Sequence, residues 1–92
     1  MKMKPFKWNR DKNQQLQQQR GISFYDIIQT IEQGNLLDVI KHYNPDKYPS
    51  QKIFIVKIDN YVYLVPFVEN DLEIFLKTII PSRKMTKIYL GG

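Results

Sequence analysis

Hydrophobic residues in the first third of the chain recur at helical spacing. Four of them follow the i, i+3, i+4, i+7 pattern of a helix with one buried face: Phe24, Ile27, Ile28 and Ile31. Ser23 stands where a side chain can cap the first turn of this helix. Gly34 stands where the helix should end. The pattern therefore predicts an amphipathic helix between these two residues.

A helix of different character is predicted before it, over residues 10–20. Asn9 can cap its start, and Gly21 can end it in the left-handed conformation. Leu16 is its only aliphatic residue, and five of the others are glutamines. A helix that is polar nearly all round is held loosely or packs against something outside the domain. A short strand is predicted just ahead of it, over residues 5–8.

After Gly34 the period changes from that of a helix to that of a strand. Strands are predicted over residues 36–40, 52–58, 61–68 and 72–80, with a loop over 42–50 and turns at 59–60 and 69–71. The connections between them are too short for crossover helices, so the pattern indicates an antiparallel meander. Pro66 cannot donate to a ladder, and a bulge or a loss of pairing is expected there.

The last strand and the segment after it complete the predicted fold. Alternation places one set of side chains on a single face of this strand: Leu72, Ile74, Leu76, Thr78 and Ile80. Pro81 should end the strand, and Ser82 can cap a short helix over residues 83–89. The expected fold is a single α+β domain over residues 1–92. It has two N-terminal helices, an antiparallel sheet of three to four strands with the helices on one face, and a short C-terminal helix.

Composition excludes several classes of protein. The chain has no cysteine, which excludes a disulfide scaffold, a cysteine-ligated zinc site and a catalytic thiol. It has one histidine, which excludes motifs that need several. No apolar run approaches the roughly 18 residues of a membrane span, and no secretory signal is evident. We therefore expect a cytoplasmic protein that needs no metal or cofactor.

The positive charge is concentrated at the two ends of the sequence. The net charge is +5. Residues 1–12 carry five basic residues against one acidic residue, and residues 77–92 carry four basic residues and no acid. If the two ends meet in the fold, they form a patch that suits a polyanion. The alternative is a solvated surface with extra lysines.

Candidate phosphate-binding residues lie in the C-terminal segment. Arg83 and Lys84 fall in the first turn of the predicted last helix, where the helix dipole disfavours cations unless an anion is also bound. Free N–H groups at a helix start suit phosphate, and Arg83 can add a bidentate contact. Lys77 interrupts an apolar strand and could reach a ligand, or it could extend to the sheet rim. The alternative for Arg83 and Lys84 is a surface turn in water.

Other candidates lie in the predicted loop and sheet. His42 is a ready general acid or base, although a histidine in a polar loop is more often simply exposed. Lys52 follows the loop directly. Tyr61 and Tyr63 share a sheet face and could stack on bases, although a core or interface role is favoured.

The two ends of the chain resemble the BrnT-type toxins. The resemblance is carried by Phe6-Lys7-Trp8-Asn9, Lys12-Asn13, Arg20-Gly21-Ile22-Ser23-Phe24, Lys77-Thr78-Ile79-Ile80-Pro81-Ser82-Arg83-Lys84 and Tyr89. The family pattern has an aromatic-x-Trp-Asp opening, a Gly-Val-Ser-Phe helix start, and an Ile-Ser-Ala-Arg-Lys motif followed by a tyrosine. This chain departs from it with Asn9 in place of the aspartate, with Pro81, and with Thr86 and Lys87 where a glutamate often stands.

The resemblance implies a RelE-like fold and a ribonuclease toxin of a type II toxin–antitoxin pair. Such a toxin inhibits growth, is neutralised by a DNA-binding antitoxin encoded nearby, and reaches operator DNA only within the antitoxin complex. It also implies that Arg83 and Tyr89 occupy the positions of the motif arginine and tyrosine, and that Lys52 is the basic residue opening the strand after the loop.

The mechanism expected from this resemblance needs no metal, because RNA supplies its own nucleophile, the 2′-hydroxyl. Phosphate contacts are assigned to four basic residues: Lys77, Arg83, Lys84 and Lys87. Tyr89, Lys52 or His42 would carry protons. Two other hypotheses remain open: a module that binds nucleic acid without cutting it, and a protein-interaction domain whose basic surface docks an acidic partner.

Overall fold

The computed structural model describes residues 4–91, which form three helices and one mixed sheet of six strands. In chain order the elements are β1 (Phe6–Trp8), α1 (Arg10–Arg20), α2 (Phe24–Glu32), β2 (Leu36–Lys41), β3 (Lys52–Ile58), β4 (Tyr61–Glu69), β5 (Ile74–Leu76), β6 (Ile80–Pro81) and α3 (Arg83–Leu90). The predicted α+β class is confirmed. No helix within residues 4–91 has the length and apolar character that crossing a membrane requires.

The starts of α1 and α2 follow the predicted caps. The side chain of Asn9 accepts a hydrogen bond from the Lys12 N–H at 2.9 Å. At α2, Ser23 Oγ accepts from the Asp26 N–H at 3.2 Å, and Asp26 Oδ2 accepts from the Ser23 N–H at 2.8 Å. This reciprocal pair is a complete capping box, formed with aspartate in place of the usual glutamate. Gly21 ends α1 with φ 67°, where a side chain would be strained.

The sheet is mixed, and it is larger than the predicted antiparallel sheet of three to four strands. Its order is β1-β5-β4-β3-β2, with β6 also beside β4. The β2–β5 meander is antiparallel, as predicted. However, β1 pairs with β5 in parallel, and the connection between them runs through α1, α2, β2, β3 and β4. It is therefore far longer than the dozen or so residues that a parallel connection needs. The short N-terminal strand was predicted, but its place in the sheet was not.

A bulge divides the predicted last strand into β5 and β6. The ladder pairs Phe67 with Leu76 and then Leu64 with Ile80, so two residues of β4 face three residues on the other side. Pro66 is one of those two residues, and its nitrogen has no hydrogen to donate to a ladder. The expected irregularity at Pro66 is therefore confirmed.

The bulge changes which side chains enter the core. Ile79 joins Leu76 in the main core, whereas Ile80 packs on the opposite face of the sheet. Leu72 is 78% exposed. The prediction of one shared face from Leu72 to Ile80 was therefore wrong, because an inserted residue reverses the alternation of all residues after it.

Helices cover both faces of the sheet. The main core lies between one face and α1 and α2, and it includes Leu16, Phe24 and Ile27. A smaller core lies on the other face under α3 and contains Ile53, Ile55, Val62 and Leu64, with Met85, Tyr89 and Leu90 packed against it. The expectation of helices on one face was wrong. The sequence signal for helices on both faces was the apolar run in β3, whose four consecutive residues are all buried. A continuous apolar run is typical of a strand that is covered on both sides.

Candidate nucleic-acid interface

The start of α3 is attached to β4 by hydrogen bonds. The Ser82 N–H donates to the Val62 carbonyl at 3.0 Å, and the Val62 N–H donates to Thr86 Oγ1 at 2.9 Å. Ser82 Oγ accepts from the Met85 N–H at 3.1 Å, which confirms Ser82 as the cap. These contacts fix the orientation of the helix on the sheet, and with it the direction of every α3 side chain.

Three of the four predicted phosphate-binding residues lie together on the outer side of α3. Arg83, Lys84 and Lys87 are all exposed, at the i, i+3 and i, i+4 spacing that places residues on one side of a helix. We call this set the basic face of α3. Ile88, 61% exposed, lies beside it. The side of α3 toward the sheet carries Met85, Tyr89 and Leu90.

No carboxylate within residues 4–91 pairs with the basic face of α3. The one ion pair in this part of the chain joins Lys4 Nζ to Glu69 Oε2 at 3.0 Å. The first turn of α3 holds no acidic residue. Two cations at a helix N-terminus oppose the helix dipole, and a bound anion would offset that small cost. The arrangement thus offers three uncompensated positive charges to an anionic partner.

Tyr89 lies on a different side of α3 from Arg83. Six residues of helix separate them by about 9 Å along the axis and about 120° around it. The Tyr89 hydroxyl donates to Asp38 Oδ2 on β2 at 3.0 Å. Desolvation, followed by this hydrogen bond and the charge of Asp38, raises the pKa of Tyr89 above the ordinary 10.0. The phenol therefore stays protonated and serves as a donor.

Lys52 is placed at the other end of β3 from the start of α3. Val62, which holds Ser82, pairs with Lys57. Lys52 is five residues from Lys57, which corresponds to about 17 Å along a strand. Alternation also places Lys52 on the side of the sheet that carries α1 and α2. The structure therefore does not bring Lys52 together with Arg83.

His42 is buried in the loop between β2 and β3, with 7% of its surface exposed. Its ring lies 4.3 Å from the Tyr43 ring and 4.5 Å from the Tyr48 ring, measured between centroids. Its Nδ1 accepts from the Asn44 N–H at 3.0 Å, so the proton of the neutral ring belongs on Nε2. The expectation of a simply exposed histidine was wrong, because aromatic residues of the loop cover the ring.

Lys77 marks a place where the basic ends of the chain meet. Its Nζ lies 5.3 Å from the centroid of the Phe75 ring. Phe75 pairs with Lys7 on β1 and with Val68 on β4. Val68 and Val62 are six residues apart on β4, so their side chains lie on the same side of the sheet, which is the side that α3 covers. Phe75 and Lys7, which are in register with Val68, lie on that side too. Lys77, by its ammonium group, and Lys7, by its strand register, thus both neighbour Phe75.

Sequence reasoning missed two features that the fold creates. Asp38 was not singled out, although a charged residue in a short apolar strand was a visible signal. A cavity of about 430 Å³ also lies between the end of α1, α2 and the β3–β4 hairpin. Its residues are far apart in the sequence, so no local pattern could have revealed it. Within residues 4–91 no three acidic or histidine side chains gather as a metal site would require.

The comparisons with known proteins return no match. No family model matches the chain, and neither a curated protein nor a solved structure does. The resemblance to BrnT-type toxins stays a prediction based on short motifs. The functional argument therefore depends on the geometry of the basic face of α3.

Proposed function

We propose that this protein is the toxin of a type II toxin–antitoxin pair, with a RelE-like fold and metal-independent endoribonuclease activity. It binds RNA through the basic face of α3, inhibits growth by cleaving RNA, and is neutralised by a DNA-binding antitoxin encoded nearby. The observation that carries the proposal is the set of three exposed cations with no carboxylate partner in the described chain. The motifs that resemble BrnT-type toxins, two of whose residues belong to this set, also support it.

RNA binding follows from the charge and geometry of that face. Phosphate contacts supply most of the affinity for nucleic acid, and arginine adds a bidentate contact to each phosphate it meets. Arg83, Lys84 and Lys87 follow the helix axis, so they can contact successive phosphates of one strand. Lys77 lies on the same side of the sheet and can contact a more distant phosphate.

Cleavage would use the 2′-hydroxyl of RNA as the nucleophile, which would pass its proton to water as the 2′-oxygen bonds to phosphorus and the bond to the 5′-oxygen breaks. Arg83 would stabilise the charge that develops on the phosphate. Among the three proposed proton carriers, Tyr89 is the one on α3 itself, and its neutral phenol would be the acid that protonates the leaving 5′-oxygen. The products would be a 2′,3′-cyclic phosphate and a 5′-hydroxyl, and EDTA would not inhibit the reaction.

The first prediction concerns Arg83. Induction of the wild-type gene should arrest growth with loss of RNA, and Arg83→Ala should relieve both effects. The purified variant should bind single-stranded RNA more weakly. A plot of log K against log salt concentration should become less steep by about 0.7, because one phosphate contact is lost. Arg10→Ala, an exposed arginine on α1, is the matched control and should behave as wild type. An Arg83→Ala protein that cleaves at the wild-type rate would contradict the assignment.

One observation favours a second candidate, a module that binds nucleic acid without cutting it. Tyr89 faces the sheet and is held by Asp38, away from the basic face of α3. A binding module would show the same salt-dependent RNA affinity and the same loss with Arg83→Ala, but it would leave the RNA intact. Tight antitoxin binding without RNA affinity would instead favour a protein-interaction domain.

A further inference from the structure

The cavity beside α2 has the size of a ligand site and lies on the opposite face of the sheet from α3. Its volume of about 430 Å³ falls within the roughly 300–1,000 Å³ typical of such sites. The residues that matter for recognition come from α1, α2, β4 and the hairpin turn: Arg20, Gln29, Gln33, Asp59 and Tyr63. They bring positive, negative, amide and aromatic groups to one place.

Several polar side chains of the cavity are not used by the fold within residues 4–91, although Asp26 and Thr30 are. Gln29 on α2 and Gln33, the C-cap residue that follows the helix, are both exposed, and neither side-chain amide bonds another residue within 4–91. Arg20 and Asp59 are exposed and form no ion pair within that part of the chain. Asp26 also lines the cavity, but its Oδ2 is engaged by the Ser23 N–H. Asp59 is therefore the carboxylate that remains fully available.

The wall of the cavity offers an aromatic surface. Tyr63 is half-buried and lies on the same face of the sheet as the main core. Ile58 continues the apolar wall at the end of β3. A flat aromatic ring beside polar groups is the arrangement on which proteins stack an unpaired base.

The charges select which base fits. The two carboxylates outnumber the single guanidinium, so the cavity disfavours a phosphate and favours a ligand rich in N–H donors. Guanine presents adjacent N1–H and N2–H donors, which a carboxylate accepts, together with O6 and N7, which an arginine donates to. Uracil has no exocyclic amine, adenine has no carbonyl oxygen, and cytosine has a ring acceptor, N3, where a carboxylate would need a second N–H donor beside the amine. Asp59 and Arg20 together complement guanine best.

The cavity and the basic face of α3 lie on two sides of one sheet edge. Tyr63 pairs with Pro81 on β6, and Arg83 follows two residues later. Among the described strands, β6 pairs with β4 alone. An RNA strand that passes round this edge can place its phosphates on Arg83 and a neighbouring base in the cavity.

We propose that this cavity binds one unstacked guanine base, with Asp59 and Arg20 reading its two hydrogen-bonding edges and Tyr63 stacking on its ring. That the guanine belongs to an RNA strand rests on the proposed function. Guanine recognition itself does not, because a free nucleotide presents the same base.

The experiment is a titration of the ¹⁵N-labelled full chain with each of the four ribonucleoside 5′-monophosphates, followed by NMR. The guanine nucleotide should bind roughly tenfold or more tightly than the uracil nucleotide, which is the discrimination expected of a good bidentate contact. Its shifts should fall on the Gln29 and Gln33 side chains and on the hairpin amides. Asp59→Asn and Arg20→Gln should each abolish this preference. Asn tolerates the positive φ of 51° at position 59, so the turn is kept.

Matched controls and a second arm separate this inference from the proposed function. Asp71→Asn and Arg10→Gln change exposed residues of the same types outside the cavity and should leave nucleotide binding unchanged. Equal binding of all four nucleotides, or the absence of guanine-dependent shifts at the cavity residues, would overturn the inference. A second arm compares guanine-containing and uracil-only RNA oligonucleotides with wild type and Arg83→Ala. If RNA fails to bind while the guanine nucleotide binds in the cavity, the proposed function fails and the guanine site stands.

Discussion

Tyr89 and Asp38 form a hydrogen bond that attaches the end of α3 to the edge strand β2. The Tyr89 hydroxyl donates to one carboxylate oxygen, and the other accepts from the Val39 N–H at 2.8 Å. Asp38 therefore holds the helix and also satisfies a donor of its own strand. An edge strand with an occupied N–H is less open to pairing with another chain.

The pKa of Tyr89 makes this bond sensitive to alkaline pH. The folded state favours the neutral phenol, so its pKa is raised above the unfolded value of 10.0. The stability contributed by Tyr89 is therefore fully present below pH 10 and is lost as the pH rises through the folded-state pKa. Tyr89→Phe should lower the free energy of unfolding by about 1 kcal/mol at neutral pH.

The measurement is urea unfolding of wild type and Tyr89→Phe from neutral pH to about pH 11. The gap in unfolding free energy between them should stay constant up to about pH 10 and narrow above it. Tyr43→Phe, at a tyrosine that is 71% exposed, is the control and should track wild type throughout. A gap that widens above pH 10 would contradict the assigned direction.

Helix starts are the elements whose local signals agree most closely with the structure. Asn9, Ser23 and Ser82 each accept a hydrogen bond from the N–H three residues later. A cap involves neighbours in the sequence, so its residues meet whatever the rest of the chain does. This locality explains why all three helix starts could be predicted from the sequence.

Removing a cap should weaken the whole domain. Ser23→Ala should lower the free energy of unfolding by about 1 kcal/mol, because it leaves the Asp26 N–H without its partner. Ser50→Ala, in the exposed loop before β3, should change it by less than about 0.5 kcal/mol. The check is the shift in urea midpoint at constant m-value. Equal midpoints for the two variants would show that the capping box does not contribute.

Strand faces were harder to predict than helix starts. The alternation of β5 was read correctly for Ile74 and Leu76, but the bulge opposite Pro66 reversed it before Ile79 and Ile80. A bulge was expected at Pro66, yet its effect on which side chains enter the core depends on how many extra residues the strand opposite β4 contains. That number is decided by packing against other elements and has no local signal.

At the scale of the whole molecule, the fold is a sheet between two unequal helical layers. Leu72 and Leu76 have the same side chain four residues apart, and alternation alone would place them alike. Leu76 is fully buried in the main core, whereas Leu72 is 78% exposed in the turn before β5. The pair therefore tests whether burial, and not residue type, determines stability here.

Leu76→Ala should lower the free energy of unfolding by about 2–5 kcal/mol, because it removes buried methyl groups and leaves a cavity. Leu72→Ala should change it by less than about 0.5 kcal/mol. Thermal or urea unfolding of both variants checks this. A large loss in Leu72→Ala would mean that the turn packs against the domain in a way that its exposure does not indicate.

Whether the predicted site residues come together also depends on the fold of the whole molecule. Arg83, Lys84 and Lys87 come together because one helix carries them, so their proximity followed from spacing. Lys52 and His42 lie at the far end of the sheet, and Tyr89 faces another side of α3. Their distances from Arg83 depend on strand length and helix rotation, which the motifs do not encode. The cavity beside α2 likewise joins α1, α2 and a hairpin.

Local patterns in the sequence were enough to predict the helices with their caps, the β2–β5 meander, the irregularity at Pro66 and the basic side of the last helix. Each of these depends on residues a few positions apart, whose interactions form with little regard to the rest of the chain. Four other features emerge only when the whole chain is folded: the parallel pairing of β1, the position of α3 on the second face of the sheet, the burial of His42 and the hydrogen bond between Tyr89 and Asp38. These features depend on which distant surfaces pack together. Burial of apolar area drives that packing, and it leaves no pattern in any short segment of the sequence.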